Sequence, residues 1–334
     1  MKKLKAAVIG LGVGEQHIAG YQSHPDCEVV ALCDMDQEKR NMAKEKYPEL
    51  KVVARADEIL TDPEIDVVSI ATYDDVHYAQ VIQAIEHGKH VFVEKPLCLQ
   101  ESHARHIRST LREHPRVRMS SNLILRKSPR FERVRDIHRQ GKFGELFYVE
   151  ADYNYGRLHK ITEGWRGKLD FYSVVHGGGV HMVDLLLWMT GDEVEEVIAY
   201  GNAISVKGTQ FRFNDMVVSI LKFKSGLIGK VAVNFGCVYP HFNSLTLYGT
   251  RATFVNGLHE GLFYTARDPM VPPEAITAPY PGVLKGALIP GFIDTILGKG
   301  KPEVSEDDIF RVMSVCFAIE KAHTQGRCVK VEYI

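Results

Sequence analysis

No two of the six cysteines in this sequence form a CxxC pair and none stands beside a histidine cluster; they fall at Cys27, Cys33, Cys98, Cys237, Cys316 and Cys328. Such scatter supplies neither the ligand spacing of a zinc site nor the framework of a disulfide-stapled domain. No metal is expected, and a reducing, cytoplasmic compartment fits. Charge of one sign is lacking too: 41 Lys and Arg stand against 42 Asp and Glu, a formal net charge of −1. Without a basic field, neither nucleic acid nor a membrane surface is an expected partner. No apolar run reaches the roughly 18 residues of a membrane span, because His176, His181 and Asp184 interrupt the richest stretch. The start, with Lys2, Lys3 and Lys5 ahead of Ala6-Ala7-Val8-Ile9, outwardly imitates a secretion signal. Its apolar run is short, breaks into glycines and lacks a small-residue cleavage site before Glu15, so it reads as a first strand. Internal repeats and low-complexity tracts are absent, and residues 269–290 read as a Pro-rich surface excursion.

What is present is ordinary globular material, 334 residues with 45% apolar content, enough for two cores. The first 120 residues alternate short β-rich runs with helical patterns, the mark of a parallel sheet covered by helices. Strands are expected at Leu4–Ile9, 29–33, 52–54, 67–71, His90–Val93 and 117–120, and helices at 75–87 and 100–114. After about Asn122 the pattern changes to a helix at 129–140 and long alternating strands at 146–155, 217–223 and 227–235, the last two joined by a turn at Lys224-Ser225-Gly226. A closing helix is expected at 307–323, with Ser305 as its N-cap and Gly326 past its end. Residues 1–122 form one expected domain and residues 123–334 the other.

Gly10-Leu11-Gly12-Val13-Gly14 follows the first strand and opens a helix, where glycines let backbone N–H groups approach a pyrophosphate and the helix dipole favours its charge. The third glycine comes one residue earlier than in GxGxxG, and a simple strand-to-helix turn would use the same residues. Asp34 ends the second strand 22 residues beyond Gly12, placed to accept both ribose hydroxyls of an adenosine, which favours NAD. Lys39 and Arg40 lie close by and keep NADP open; capping of the following helix is the other use for Asp34. Lys95, in Glu94-Lys95-Pro96, stands at the carboxyl end of a strand, where open α/β sheets bind ligands. A lysine there can donate to a substrate oxygen. His181 and Asp184 follow Gly177-Gly178-Gly179, glycines that permit close approach by a ligand. The histidine is suited to take a hydroxyl proton; the aspartate could orient the imidazole or cap the helix.

Together these residues resemble the Gfo/Idh/MocA oxidoreductases, the family of glucose-fructose oxidoreductase and inositol dehydrogenase. The likeness runs over nearly the whole chain and rests on the glycine loop with His17, the run from Asp66 to Thr72 with His77, the tail from Gly88 to Pro96, the segment from Gly179 to Asp184, and the stretch from Val304 to Asp308. The resemblance implies a Rossmann domain with a doubly wound parallel sheet, followed by an α/β domain with an open, mostly antiparallel sheet that serves homodimers or homotetramers. It implies that Lys95 and His181 are catalytic and face substrate and nicotinamide. It also implies that Ala71, Thr72, Tyr73, His77, Glu94 and Asn122 line the cofactor groove with Gly10, Gly12, Val13, Gly14 and Asp34. Many sugar and inositol dehydrogenases of the family carry an aspartate four residues before the histidine, and this chain has Gly177 there. His176 or Asp170 is the candidate replacement.

The reaction implied is hydride transfer between nicotinamide and a secondary alcohol carbon of a sugar-like or polyol-like small molecule. Tyr155, Arg157, Trp165, Arg166, Tyr172, His176, Asp184, Tyr239 and His241 supply stacking and hydrogen-bonding groups for it. Two other readings keep the architecture: a glycosidase-type enzyme that oxidises its sugar transiently, and a non-enzymatic sensor of dinucleotide and sugar.

Overall fold

The computed structural model describes residues 3–334; Met1 and Lys2, part of the basic start, lie outside the described residues. Two compact units are present, one of residues 1–124, 284–310 and 334, the other of residues 125–283 and 311–333. The segment 284–310 thus packs with the first unit, although the sequence expectation placed it in the second domain. The Pro-rich stretch before it is its approach, and is more than a surface excursion. It contributes a strand, and its Tyr280 packs against Phe131 and Phe242 at 5.4 and 5.2 Å while bonding the Asn243 backbone.

In the first unit the chain runs β1 (Leu4–Ile9), α1 (Glu15–Gln22), β2 (Cys27–Cys33), α2 (Gln37–Lys46), β3 (Lys51–Val53), α3 (Asp57–Leu60), β4 (Val67–Ile70), α4 (His77–Glu86), β5 (His90–Val93), α5 (Glu101–Glu113) and β6 (Met119–Ser121). The strands form one parallel sheet in the order β3-β2-β1-β4-β5-β6. This is the doubly wound arrangement, whose crevice lies outside the carboxyl ends of the strands where the order reverses, here at β1 and β4. Strands of this kind are covered on both faces, so Val67–Ile70 is buried at every position and carries no alternation.

The second unit contains α6 (Pro129–Arg139), β7 (Leu146–Asn154), α7 (His159–Thr162), α8 (Val180–Thr190), β8 (Val194–Asn202), β9 (Met216–Phe223), β10 (Ile228–Asn234), β11 (Phe242–Gly249), β12 (Thr253–Asn256), β13 (Gly261–Tyr264) and β14 (Glu274–Ile276). The chain then supplies α9 (Ile289–Ile296) to the first unit, and ends with α10 (Glu306–Gln325) and β15 (Val329–Lys330). Nine strands form a sheet in the order β14-β13-β12-β11-β7-β10-β9-β8-β15. Pairing is antiparallel, the expected hairpin of β9 and β10 included, except between β7 and β10, which are parallel. The start of α10 is a capping box: Asp308 N–H donates to Ser305 Oγ, and Asp308 Oδ2 accepts from the Ser305 N–H and hydroxyl.

The glycine cluster forms a π-helical turn over Val175–Gly179 that leads into α8. All three glycines are buried. A Cβ at Gly178 would stand 2.5 Å from two ring carbons of Tyr153, and one at Gly179 would stand 2.7 Å from Val233 Cγ2. The glycines therefore seat the helix on the sheet, and ligand approach is not their use. Gly178→Ala is expected to destabilise the protein by roughly 1–3 kcal/mol, the usual cost of forcing a carbon into a filled core. Thermal unfolding checks it, and an unchanged midpoint would mean that the turn yields freely.

Candidate cofactor and substrate sites

In the first unit, Gly10 adopts a left-handed φ of 91°, and a Cβ there would collide with the Ala71 carbonyl. A Cβ at Gly14 would collide with the Gly10 carbonyl and Ala71. These two glycines let strand, turn and helix close on one another. Gly12 is different: a Cβ there would meet nothing nearer than Lys39 Nζ at 3.8 Å. The turn is tied by Gly10 N–H to the Cys33 carbonyl and by Leu11 N–H to Asp34 Oδ2 at 2.7 Å, and bonding resumes at Gln16. The open interval between, at the mouth of α1, suits a pyrophosphate.

Asp34 is buried, and its other oxygen accepts from Asp36 N–H at 2.9 Å. The cap of α2 is Asp36, which accepts from Glu38 and Lys39, so capping is not what holds Asp34. Lys39 Nζ lies 3.5 Å from Asp34 Oδ2, and Arg40 donates to the Asp34 and Met35 carbonyls. Val13 and Tyr73 are exposed apolar residues on the two loops of this end of the sheet.

Beneath that end lies a buried polar network. His17 stands with Nδ1 2.9 Å from Ser69 Oγ and Nε2 3.2 Å from Glu94 Oε1. Tyr21 donates to Ser69, and Asn122 Nδ2 donates to Glu94 Oε1 at 2.7 Å and to the Lys285 carbonyl at 3.0 Å. Burial would raise the pKa of Glu94, but the hydrogen bond and charge of His17, with Lys95 and Lys285, outweigh it and hold the carboxyl far below the usual carboxylate range. Lys95 follows directly and is half-buried. His77, expected in the cofactor groove, is fully buried, with its ring nitrogens 2.7 and 3.3 Å from the Pro96 and Thr72 carbonyls. It braces the loops after β4 and β5, because a histidine at the first turn of α4 reaches both. Thr72 donates to Gln80 at 2.8 Å. Sequence reading missed Tyr21, Ser69 and Lys285; nothing in their local pattern separates them from ordinary core and loop residues.

In the second unit, His181 is 7% exposed, and its ring lies 6.2 Å from that of Tyr153. Tyr153 is 5.6 Å from Tyr155 and 5.2 Å from His241, and Tyr155 is 4.7 Å from Phe235. The Arg157 guanidinium lies 5.4 Å from the Tyr155 ring, and that of Arg166 lies 4.5 Å from the Trp165 ring. A Cβ at Gly156 would collide with the Tyr239 carbonyl, so the loop that carries Tyr239 closes on the end of β7. Tyr153 was missed by the sequence reading, although its place among the buried positions of β7 distinguishes it from the half-buried Tyr155.

Two expected substrate residues are placed elsewhere. His176 is 1% exposed, with rings of Phe317 and Phe171 at 5.2 and 6.3 Å, and neither ring nitrogen has a hydrogen-bond partner. Burial lowers its pKa, against the pull of Glu320. It is a core residue of the π turn, and does not replace the absent aspartate. Asp184 is also 1% exposed, and both its oxygens accept from Arg126, the shortest bond being 2.6 Å. That pair anchors α8 and leaves Asp184 no substrate role.

A parallel sheet in this order, with an open glycine turn at its switch point, defines a dinucleotide-binding fold. Profile comparison matches residues 4–122 to an oxidoreductase family with an NAD-binding Rossmann fold, and residues 131–255 to the GFO/IDH/MocA C-terminal domain. The chain belongs to the Gfo/Idh/MocA oxidoreductase family. Among its relatives, 1,5-anhydro-D-fructose reductase of Ensifer adhaerens is 25% identical over 84% of each chain. Myo-inositol 2-dehydrogenase of Thermotoga maritima is 26% identical over 74% of this chain and 73% of its own. In fold, the chain matches scyllo-inositol dehydrogenase from Lactobacillus casei, solved with NAD(H) and scyllo-inositol, at a TM-score of 0.81 with 17% identity, over 99% of both chains. Among the described residues no helix is long and apolar enough to cross a membrane.

The Glu94 network carries a pH signature. A carboxyl held low in the folded state stabilises above its unfolded value of about 4.3 and loses that contribution as pH falls toward its folded value. Wild type should therefore exceed Glu94→Gln in thermal midpoint most at neutral pH, with the gap narrowing below about pH 4. A gap independent of pH would show that packing, and not the charge, holds this network.

Proposed function

We propose that the chain is an NAD-dependent dehydrogenase that oxidises a secondary alcohol carbon of a sugar or polyol, with Lys95 and His181 as its catalytic residues. The observation that carries this is Lys95 at the carboxyl end of β5, held next to a carboxylate whose own partners are fixed. NAD, when bound, supplies the acceptor for the hydride that leaves the carbinol carbon. His181 takes the hydroxyl proton, so that hydride and proton leave together and a carbonyl remains. Lys95 donates to the substrate oxygen and stabilises negative charge as it develops. Gly12 and Val13 meet the pyrophosphate, Asp34 the adenosine ribose, and Ala71, Thr72, Tyr73, Glu94 and Asn122 belong to the loops and network around the cofactor. Tyr155, Arg157, Trp165, Arg166 and Tyr239 bind substrate. The names of relatives, which speak of an anhydro sugar and an inositol, support a polyhydroxylated ligand.

Lys95→Ala is expected to lower kcat by about two orders of magnitude or more and to leave NAD affinity within a few-fold. Steady-state turnover over a panel of sugars and polyols, with titration of NAD and NADP on both proteins, checks this. NAD should bind more tightly, since the Asp34 carboxylate repels a 2′-phosphate. Undiminished turnover would reduce Lys95 to a strand-end lysine, and tighter NADP binding would give the preference to Lys39 and Arg40.

The outer face of the nine-stranded sheet supports assembly with a second copy. Tyr200 pairs across from Val218 and Ile198 from Ile220, and Tyr200, Ile198 and Ile220 are 70, 37 and 40% exposed. Such an apolar face marks an interface. Tyr200→Glu with Ile220→Glu should lower the mass read by light scattering to that of one chain. A wild type already of that mass would remove the homo-oligomer.

A further inference from the structure

A π turn is a rare form of helix, and a backbone in so sparsely used a form persists only where its surroundings hold it. On one side the turn Val175–Gly179 rests on the sheet, where Cβ atoms at Gly178 and Gly179 would strike Tyr153 and Val233. On the other side stands α10. Phe317, Glu320 and His323 of that helix are spaced three residues apart and so share a face. The Phe317 ring lies 5.2 Å from the ring of His176, inside the turn. One turn further along α10, Glu320 Oε1 accepts from the hydroxyl of Ser173, two residues before the turn. Ser173 Oγ itself accepts from the Val175 N–H at 3.0 Å and the His176 N–H at 3.2 Å, and the Ser173 carbonyl accepts from the Gly177 N–H at 2.9 Å. One buried serine thus collects the amides that open the turn, and one carboxylate holds that serine.

Glu320 is oriented in its turn. His323 Nε2 lies 3.0 Å from Glu320 Oε2, and Asn214 Nδ2 approaches His323 Nδ1 at 3.5 Å. An amide that donates to Nδ1 leaves the imidazole proton on Nε2, where Glu320 accepts it. Burial would raise the pKa of Glu320, but the bond from His323, the charges of His176 and His323 and the Ser173 hydroxyl outweigh it and hold the group below its ordinary value. The bearing of His181 depends on this chain of bonds. It is the second residue of α8, five beyond His176, and its ring lies 6.2 Å from that of Tyr153, the side chain on which Gly178 rests. Rewinding a π turn as α-helix shifts the register by one residue, about 100° of rotation. Asp184 fixes α8 to Arg126, so the shift would fall on the turn and on the first residues of α8, where His181 stands.

We propose that Glu320 is a positioning residue for His181, acting through Ser173 and the π turn, so that α10 sets the direction of the proton acceptor. This rests on the dehydrogenase reading and adds to it a group, outside the site, on which the rate depends.

The test compares wild type with Glu320→Ala, Glu320→Gln, Ser173→Ala and the double variant Ser173→Ala with Glu320→Ala. Three quantities are measured: amide hydrogen exchange of the segment 173–184, thermal midpoint, and NADH formation from the most rapidly oxidised member of a panel of sugars and polyols. Glu320→Ala should speed exchange of the segment by about tenfold or more. It should lower kcat by about tenfold or more, the scale of a catalytic group displaced by about an ångström, with KM and NAD affinity held within about twofold. Ser173→Ala should do the same, and the double variant should lose no more than the worse single one, because both remove one link. Glu320→Gln should recover most of kcat: its amide oxygen accepts from Ser173, and its NH2 donates to His323 Nε2 once the imidazole proton moves to Nδ1 and the Asn214 amide turns over. Should Glu320→Ala not fold, Glu320→Asp, one methylene short of Ser173, takes its place. A lower thermal midpoint with exchange and kcat unchanged, additive losses in the double variant, or no recovery in Glu320→Gln would each overturn the proposal. A wild type that oxidises no member of the panel would count against the dehydrogenase reading. Faster exchange in both alanine variants, restored in Glu320→Gln, would then still sustain the hold of Glu320 on the turn, and unchanged exchange would overturn it.

Discussion

A carboxylate removed from water must be compensated on the spot, since an unpaired buried charge costs several kcal/mol. Glu94 is compensated by groups from four separate pieces of chain: His17 of α1, Asn122 just after β6, the charge of Lys285, and its own successor Lys95. Ser69 of β4 and Tyr21 complete the arrangement by fixing the other side of the His17 ring. The ends of three adjacent strands and the first helix are therefore set relative to one another by a single charge. Breaking any member strands the rest, which is why such networks hold geometry even where their net contribution to stability is small. Lys95 inherits this precision as the next residue along the chain.

The same end of the sheet shows how differently three glycines of one turn are used. Gly10 and Gly14 remove Cβ atoms that would strike the Ala71 backbone and the turn itself, whereas Gly12 removes one that would face open space. The first two are conditions of the fold, and the third is a glycine that packing does not demand. In the second unit the division is sharper. Three consecutive glycines in a π turn look, in sequence, like a place for a ligand to come close, and every one of them faces Tyr172, Tyr153 or Val233 instead. Close approach is indeed what they permit, but the partner is the sheet.

These cases explain what was legible in the sequence. The parallel sheet was readable because its strands are short, largely apolar runs alternating with amphipathic helices, and α4 and α5 were placed within a residue or two of their ends. The tripeptide Glu94-Lys95-Pro96 was readable because it follows such a run. The strands β11 to β14 were not: β12, β13 and β14 are only three or four residues long, and β11, though eight residues long, carries no regular alternation of burial. The burial of individual polar residues was least legible of all. His77, His176 and Asp184 carry the side chains of a site, and no local pattern tells that their partners are two carbonyls, two phenyl rings and Arg126. Those partners come from 5 to more than 100 residues away, and such distances are fixed only when the core closes.

Position 177 shows the same principle from the opposite side. The family likeness leads one to look for an aspartate there, and its absence first reads as a catalytic set with a member missing. The structure gives a steric reason: a Cβ at Gly177 would fall inside contact distance of the Tyr172 hydroxyl. Tyr172 is itself 1% exposed, and packs against Phe211 and Phe235 at 6.0 and 6.3 Å. A carboxylate at 177 would require Tyr172 to leave its place, and Phe235, the ring shared by Tyr153 and Tyr155, would lose its support. Residues 172 and 177 must therefore change together. What the sequence presents as a lost carboxylate is a repacked corner, in which a phenol fills the volume that a side chain on the π turn would otherwise take.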